Sequence, residues 1–261
     1  MTSHSPVVIR ELEAGQIFTV RSPQGKTNVM SVEGTAKDID TAQRHLRSSP
    51  EAFLARRVLI GEGKTECGLL RGLDLQWTNK GKDSFAYQGV VAINGEGIPK
   101  ALIIAEHLLD LGYEVFALLD SDEPPSSDQM QAVTKRGGKI LIWSDSCSTE
   151  QRIFLDVPWS TMKCLIDYAV ECDGLPRILN TVNEAMPVGM ALLSDLSLPS
   201  TLDNAAFRAV LGLAAKTKNK AWYKDIGRAE HVANILFDCL DLIKDKPFAI
   251  ELAKVRHWID G

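Results

Sequence analysis

The chain has 261 residues, of which 45% are hydrophobic and 24% are charged, and its formal net charge at pH 7 is −5. This composition is ordinary for a globular protein, and the acidic balance excludes a molecule-wide basic field that would attract nucleic acid, so any such site has to be local. The five cysteines form no CxxC pair, which favours free thiols in a reducing compartment. Since no apolar run reaches about 18 residues and the N-terminus lacks the apolar core of a signal peptide, we predict a cytoplasmic protein without a membrane span.

The chain order of the predicted elements indicates an α/β protein. Residues 7–32 alternate apolar and polar side chains around SPQGK, which predicts a hairpin, and the polar, helix-like residues 35–55 are interpreted as a linker. Strands and helices then alternate, with strands predicted at 56–61, 89–94, 114–120 and 139–144 and helices at 64–75, 98–111 and 126–136. Short, almost continuously apolar strands that alternate with amphipathic helices are typical of a parallel sheet covered on both faces. After residue 158 the pattern is helical.

The corner after the first strand of this sheet resembles a phosphate-binding loop. Gly63, Lys64 and Thr65 match the end of the pattern GxxxxGK[ST], but its first glycine would fall at Val58, inside the strand. The loop is therefore too short to wrap a phosphate. The alternative is that Glu62 binds a ligand at the carboxyl end of the strand, with Glu66 one helical turn later. Both acids could equally serve only to favour the positive N-terminus of the helix.

Two aspartates follow the third strand of the sheet. Asp120 and Asp122 are two residues apart, so on extended backbone their side chains point the same way and repel each other unless a cation lies between them. Asp-x-Asp is also common in plain turns. Together with Glu62 at another strand end of the same sheet, however, the pair predicts a metal site, and hard oxygen ligands without nearby histidine or cysteine favour Mg²⁺ or Mn²⁺.

Further candidates follow the fourth strand and lie near the end of the chain. Glu150 is expected to begin the next helix at the same edge of the sheet, where Ser148 could cap the helix or face a metal, and Asp145 is expected to be solvated. Residues 214–233 are the most basic stretch, in which Lys216, Lys218, Lys220, Lys224 and Arg228 are interleaved with Trp222 and Tyr223. Such a run is either a solvated helix start or a phosphate-contacting segment.

These motifs resemble a known domain. An acid at the first strand end, a glycine-containing turn after the second strand (INGEGIP), Asp-x-Asp after the third and a later acid are similar to the Toprim domain of topoisomerases, primases and nucleases. VLIGEGKTECGLL, NGEGIPKALIIAEHL, VFALLDSD and STEQRIFLDVP resemble the Toprim region of the OLD (overcoming lysogenization defect) family endonucleases, of the class 2 type. The resemblance covers residues 56–157 best. The tyrosines lie in contexts unlike a topoisomerase nucleophile and no zinc pattern of a primase is present, which disfavours both of those groups.

The N-terminal segment extends the resemblance. TSHSPVVIREL is similar to the end of an ABC-type ATPase, in which a histidine at the position of His4 lies near the γ-phosphate. OLD proteins join such an ATPase to a C-terminal Toprim domain, so we interpret the chain as the C-terminal piece of a larger ATPase–nuclease. No nucleotide site is expected to be complete in this chain. The resemblance implies an ATPase remnant at 1–34, a linker at 35–55, a Toprim domain at 56–157, a helical subdomain at 158–222 and completing helices at 223–261.

The resemblance also implies a function. It is a DNA endonuclease that hydrolyses phosphodiester bonds with two Mg²⁺ or Mn²⁺ ions. The implied catalytic residues are Glu62, Asp120, Asp122, Glu150 and Lys224, the implied metal ligands are Glu62, Glu66, Asp120, Asp122, Ser148 and Glu150, and the expected DNA contacts are Lys218, Lys220 and Arg228. Expected partners are DNA, the upstream ATPase domain, a UvrD-like helicase and a second copy bound through the ATPase part. The alternative is a non-catalytic metal-binding module that regulates an ABC-type ATPase.

Overall fold

A computed structural model describes residues 2–22, 25–36, 39–189 and 192–261. In chain order the helices and strands are α1 (Pro6–Glu11), β1 (Phe18–Arg21), β2 (Asn28–Ser31), α2 (Ile39–Ser48), β3 (Arg57–Gly61), α3 (Lys64–Asn79), β4 (Val90–Asn94), α4 (Ile98–Asp110), β5 (Glu114–Leu119), α5 (Ser127–Lys135), β6 (Lys139–Ile142), α6 (Thr149–Asp156), α7 (Trp159–Asp173), α8 (Leu175–Ala185), α9 (Ala205–Lys216), α10 (Ile226–Phe237) and α11 (Pro247–Asp260). The fold is α/β, with a four-stranded parallel sheet flanked by helices and a largely helical C-terminal region.

The chain divides into two compact units. The sheet unit comprises Met1–Gly63, Asp83–Leu119 and Pro125–Leu141. The helical unit comprises Lys64–Lys82, Asp120–Pro124 and Ile142–Gly261, and so combines α3 with α6 to α11. Each unit is therefore assembled from segments that are distant in the sequence.

The sheet unit is built around strands in the order β4-β3-β5-β6. The central strand β3 is parallel to both neighbours, and Gly61 at its end is level with Asn94 of β4 and Leu118 of β5. Val58, Leu59 and Ile60 are completely buried, because helices cover a parallel sheet on both faces and leave no solvated side. The predicted parallel α/β sheet is confirmed.

Some element boundaries differ from the predicted ones. The third and fourth strands of the sheet end at Leu119 and Ile142, earlier than predicted. After the third strand, the Ser121 N–H donates to the Cys147 carbonyl of the turn before α6 at 2.9 Å. The helix that follows β3, α3, begins as predicted at Lys64 but continues to Asn79. Its last turn is stabilised by a hydrogen bond of 2.9 Å from the Gln76 amide to Asn234 of α10.

The N-terminal part of the sheet unit contains the predicted hairpin, in which β1 and β2 are antiparallel and Val20 lies opposite Val29. Pro23 and Gln24, in the predicted turn, lie outside the described residues. Residues 35–55, interpreted from sequence as a linker, contain α2 and a 3-10 turn at Pro50–Leu54. Ala42 and Leu46 of α2 are completely buried, since they share one helix face that packs into the unit.

The helical unit is held together by closely packed helices. The backbones of α3 and α10 approach at Gly68 and Gly72, where a Cβ atom added to Gly68 would lie 2.3 Å from the carbonyl oxygen of Ile226. Trp222 and Tyr223, in the segment that connects α9 to α10, are buried. The Trp222 indole N–H donates to Thr181, and the Tyr223 hydroxyl donates to the Leu165 carbonyl. The predicted helical character of the chain after residue 158 is confirmed. Across the described residues, no helix is both long enough and apolar enough to cross a membrane.

Candidate functional site

Glu62 lies in the sheet unit, in the turn that follows β3. Its backbone N–H donates to the Leu118 carbonyl at 2.9 Å, and its carbonyl accepts from the Gly97 N–H at 2.8 Å. These two bonds fix the backbone of Glu62 between the end of β5 and the start of α4. Only Glu62 and Gly63 separate β3 from α3, and Val58 is a buried residue within β3. The segment is therefore a tight strand–helix corner without the longer loop of a phosphate-binding motif.

Asp120 lies in the helical unit and is bound by the first residue of α6. The backbone N–H and the hydroxyl of Thr149 donate to Asp120 Oδ1 at 2.8 and 2.9 Å. The Thr149 hydroxyl in turn accepts the indole N–H of Trp143 at 2.7 Å, and both Thr149 and Trp143 are buried. The N-terminus of a helix favours an anion, and this chain of hydrogen bonds fixes the Asp120 carboxyl group at the start of α6.

Glu150 is buried beside Thr149 and accepts hydrogen bonds on both oxygens. Thr65, in the first turn of α3, donates to Oε1 at 3.0 Å, and Ser148 donates to Oε2 at 3.1 Å. Glu66, next to Thr65, is also buried. Hydroxyl groups from the starts of two helices thus hold one carboxylate, which joins residues that are 85 positions apart in the sequence.

Ser148 has a second, purely structural role. It is the N-cap of α6, and its hydroxyl oxygen accepts the Gln151 N–H at 3.3 Å while the Gln151 side chain accepts the Ser148 N–H at 3.0 Å. This is a capping box, which satisfies two backbone donors at a helix start. The sequence left capping and metal contact open for this residue, and the geometry accounts for Ser148 by capping and by its bond to Glu150.

The turn before α6 is tied to the segment that holds Asp120. The Cys147 N–H donates to the Ser121 hydroxyl at 2.7 Å, and the Ser121 N–H donates to the Cys147 carbonyl at 2.9 Å. Asp145 and Ser146 in this turn have positive φ angles of 66° and 52°, the left-handed region. Asp145 is exposed, as expected, and bonds to the Ser144 hydroxyl and the Arg152 guanidinium lower the pKa of its carboxyl. Burial raises the pKa of the Cys147 thiol, so this cysteine stays protonated.

Asp122 forms an ion pair with Lys216, the last residue of α9. The Lys216 Nζ lies 2.7 Å from Asp122 Oδ2, and about a quarter of each side chain is exposed. Lys224, which the sequence predicts as the catalytic lysine, is an exposed residue of the loop that leads into α10. Local sequence favoured Lys224 because it follows Trp222 and Tyr223. The fold brings Lys216 into contact with Asp122.

The residues expected to contact DNA have different surroundings. Lys218 is exposed, and Lys220 pairs with Glu184 at 2.7 Å near the surface. Arg228 binds both oxygens of Asp173, at 2.8 and 3.2 Å, and this pairing raises the pKa of its guanidinium. Arg228 therefore has a structural partner between α7 and α10, whereas Lys218 is the member of the set that is presented to solvent.

We define the acid network as seven residues of the helical unit that make these contacts in three groups: Thr65, Ser148 and Glu150; Asp120 and Thr149; Asp122 and Lys216. The groups are linked through neighbouring positions of the chain. It collects the start of α3, the segment Asp120–Pro124, the start of α6 and the end of α9. Sequence reasoning identified its carboxylates and Ser148 but missed Thr65 and Thr149, and it named Lys216 only as one of several basic residues. A hydroxyl in the first turn of a helix was the available signal for both threonines.

The network fits a hard divalent cation by the chemistry of its donors, since carboxylate and hydroxyl oxygens are the ligands that Mg²⁺ and Mn²⁺ prefer. Its arrangement is not a ready-made metal cage. Within the described part of the chain, no three side chains of the His, Cys, Asp and Glu type are grouped closely enough to hold a metal ion. Protein donors occupy the carboxylate positions described above, so cation binding would require them to rearrange.

The segment around His4 has a local structural explanation. Ser5 is the N-cap of α1 and its hydroxyl accepts the Val8 N–H at 3.5 Å, while Pro6 occupies the first position of the helix, where its missing N–H costs no hydrogen bond. His4 precedes this cap and is exposed. The sequence SHSP thus begins a short helix in the sheet unit.

Comparisons of the chain with models of known protein families, with curated proteins and with solved structures gave no significant match.

Proposed function

We propose that the protein is a divalent-metal-dependent DNA endonuclease of the Toprim type, in which the acid network of the helical unit serves the active site. The observation that carries the proposal is the convergence of four distant segments on Asp120, Asp122 and Glu150 through direct polar contacts. A surface turn with acidic residues needs no such support. Convergence of this kind is what fixes carboxylates for ligand binding.

The residues that would hold the ions are Asp120, Asp122 and Glu150 of the network, with Glu66 beside them in α3. Glu62, from the sheet unit, enters the proposal through the sequence pattern alone. Bound divalent ions supply an activated water and neutralise the charge that develops on a phosphodiester during hydrolysis. Mg²⁺ and Mn²⁺ both fit a set of oxygen donors without histidine or cysteine.

The protein's own groups orient and balance these charges. Thr149 fixes the Oδ1 atom of Asp120, so that the carboxylate has a defined direction at the start of α6. Lys216 supplies the positive charge nearest to Asp122. A cation held by Asp122 would compete with the Lys216 ammonium, and the freed ammonium would then be available to stabilise negative charge on a phosphate. We therefore assign the catalytic lysine to Lys216 instead of Lys224.

DNA is the proposed substrate because the resemblance to OLD endonucleases and the exposed Lys218 both favour a phosphate backbone. With a net charge of −5, the chain has no general attraction for nucleic acid, and binding has to depend on the local basic segment and on the bound cations. Weak binding that falls steeply with salt is the expected behaviour.

The test is incubation of the purified chain with supercoiled plasmid in Mg²⁺, Mn²⁺, Ca²⁺ or EDTA. Asp120→Asn is the informative variant because its amide oxygen can still accept from Thr149, so the fold is retained while the charge is lost. Asp241→Asn, an exposed acid of the helical unit, is the matched control. We expect metal-dependent nicking or linearisation in the wild type and the control, and a loss of about 10²–10³-fold in Asp120→Asn.

Two outcomes would redirect the proposal. Cleavage that persists in EDTA or is unchanged in Asp120→Asn would exclude the acid network as the active site. Metal binding measured by calorimetry without cleavage of any DNA substrate would favour the alternative, a metal-binding regulatory module of an ABC-type ATPase. The arrangement of protein donors around each carboxylate is the feature that fits this second function.

A further inference from the structure

Two histidines meet in the interior of the sheet unit, away from the acids discussed above. His45 on α2 and His107 on α4 are both buried, and their Nδ1 atoms are 3.4 Å apart. The other ring nitrogen of His107, Nε2, lies 2.8 Å from the carbonyl oxygen of Val32, which follows β2. The imidazole of His107 thus connects three elements of the unit.

The hydrogen-bond partners determine where the protons are. A carbonyl oxygen only accepts, so Nε2 of His107 carries the hydrogen. In the neutral ring the Nδ1 atom of His107 then has a lone pair and accepts from the Nδ1–H of His45. A proton added to His107 has to bind at Nδ1, which would place two N–H groups against each other at the contact. His45 would have to give up its Nδ1 proton, or the rings would have to separate.

The surroundings make an added charge costly. The pair lies against Val32 and the edge of the Phe53 ring, both buried, and His45 also lines a small cavity with Phe53 and Ile93. A charge taken out of water into such a site is strongly disfavoured unless it is paired.

Charged groups on the surrounding elements do not restore the balance. The titratable and charged side chains on the described parts of these elements are Glu33, Asp40, Arg44, Arg47, Glu51, Lys100, Glu106, Asp110 and Tyr113. Of these, Asp110 is a charge that favours protonation of His107, but Asp110 also binds Arg136 at 2.8 Å. Glu106 is 3.7 Å from the same guanidinium, so both acids of α4 are partly neutralised.

We propose that the His45–His107 contact is a pH-sensitive latch that holds α2 against α4 in neutral solution and releases α2 when the pH falls. The latch operates in the sheet unit and does not depend on the proposed nuclease activity.

The sign of the effect follows from the titration of His107. Burial lowers the pKa of His107 below its ordinary value of 6.5, and this effect outweighs the hydrogen bond to Val32 and the charge of Asp110, which raise it. In the opened state the ring is solvated, and its pKa has the ordinary value of about 6.5. Below that pH the opened state binds a proton that the closed state refuses, so closure is fully stable above pH 6.5 and weakens as the pH falls. One such histidine shifts the opening equilibrium by about tenfold per pH unit until the pKa of the closed state is reached.

Hydrogen exchange of the full chain between pH 7.5 and 5.0, corrected for intrinsic exchange rates, tests the latch. We expect the protection factors of α2 amides to fall by about fivefold from pH 6.5 to 5.5, while amides of α7 in the helical unit change little. His107→Gln keeps an N–H that can reach the Val32 carbonyl and removes the His107 ring that titrates, so its α2 protection should fall less with pH than that of the wild type. His257→Gln, which removes an exposed histidine, should behave as the wild type does.

A second measurement protects the test against a variant that fails to fold. NMR titration of the wild-type histidine rings gives the pKa of His107 directly. A His107 that titrates at or above 6.5 in the folded protein would overturn the proposal. So would α2 protection that stays constant with pH in the wild type, or that falls equally in a folded His107→Gln variant.

Discussion

At the scale of single residues, hydroxyl groups are what organise the acid network. Thr149 illustrates this, because its hydroxyl accepts a hydrogen bond from the Trp143 indole N–H and donates one to Asp120. The residue is completely buried, so water cannot replace either bond. A buried donor or acceptor left without its partner costs about 1–3 kcal/mol, and Thr149 therefore matters to both the fold and the direction of the carboxylate.

Replacement of Thr149 by valine tests this role. Thr149→Val keeps the shape of the side chain but removes the hydroxyl, and we expect the free energy of unfolding to fall by about 1–3 kcal/mol in urea denaturation. Thr149→Ser, which restores a hydroxyl, should recover most of that loss. Thr134→Val provides the control, because Thr134 is exposed and its hydroxyl bonds only to carbonyls of its own helix. Equal stability of the valine and serine variants at position 149 would contradict the assignment.

The choice between two lysines is the second prediction at this scale. If Lys216 supplies the positive charge at the acids, Lys216→Gln should lower metal-dependent cleavage by about 10²-fold or more, because the charge is lost where negative charge develops. Lys224→Gln should cleave at nearly the wild-type rate, since Lys224 is exposed in a loop. Rates measured on the same plasmid decide the question, and a deficit confined to Lys224→Gln would reverse the assignment.

At the scale of elements, the pair α3 and α10 determines how closely the helical unit packs. Glycine is usually unfavourable inside a helix, by about 1 kcal/mol relative to alanine. At Gly68 and Gly72, however, the missing side chains let the α10 backbone approach, and a Cβ on Gly72 would lie 2.5 Å from both the Glu230 carbonyl oxygen and the Ala233 Cβ. The approach also matters to the acid network, because Thr65 lies one turn before Gly68 on α3.

Gly68→Ala tests this packing. The added methyl group improves helix propensity, yet it would lie 2.3 Å from the Ile226 carbonyl oxygen, so the helices must separate. We expect a net loss of about 1–3 kcal/mol in the free energy of unfolding. Gly227→Ala, in the first turn of α10, is the matched control because its Cβ would meet Asp225 Oδ1 at an ordinary 3.4 Å. A Gly68→Ala variant as stable as this control would show that the helices can move apart at no cost.

At the scale of the whole molecule, the sequence predicts the sheet far better than the site. An apolar run such as Val58 to Ile60 predicts a buried parallel strand directly from its local composition. The carboxylates that follow the strand ends can be placed from the topology of such a sheet. The partners of those carboxylates are tertiary. Nothing near Lys216 distinguishes it from Lys224, since its pairing with Asp122 depends on where α9 ends. The linker interpretation of residues 35–55 likewise overlooked the buried face of α2, because Ala42 and Leu46 stand among polar residues.

Cation binding should be visible in the stability of the whole molecule, independently of any cleavage. A ligand at 100 times its dissociation constant stabilises the folded state by about 2.7 kcal/mol, which corresponds to a rise of about 5–10 °C in the melting temperature of a protein of this size. We expect Mn²⁺ to produce such a rise in the wild type and in Asp241→Asn, and to produce little or none in Asp120→Asn.

Lys216→Gln makes this experiment more informative. In the wild type the cation has to displace the Lys216 ammonium from Asp122, from which it is separated by 2.7 Å, and that exchange costs part of the binding free energy. Removal of the ammonium should therefore tighten Mn²⁺ binding by about tenfold, even though cleavage falls. The ion pair that the cation no longer has to break contributes about 0.2–1 kcal/mol, because it is partly exposed. The repulsion between the ammonium and the bound cation is removed as well. Titration calorimetry measures this change. Weaker binding in Lys216→Gln would mean that the lysine supports the metal site instead of competing with it.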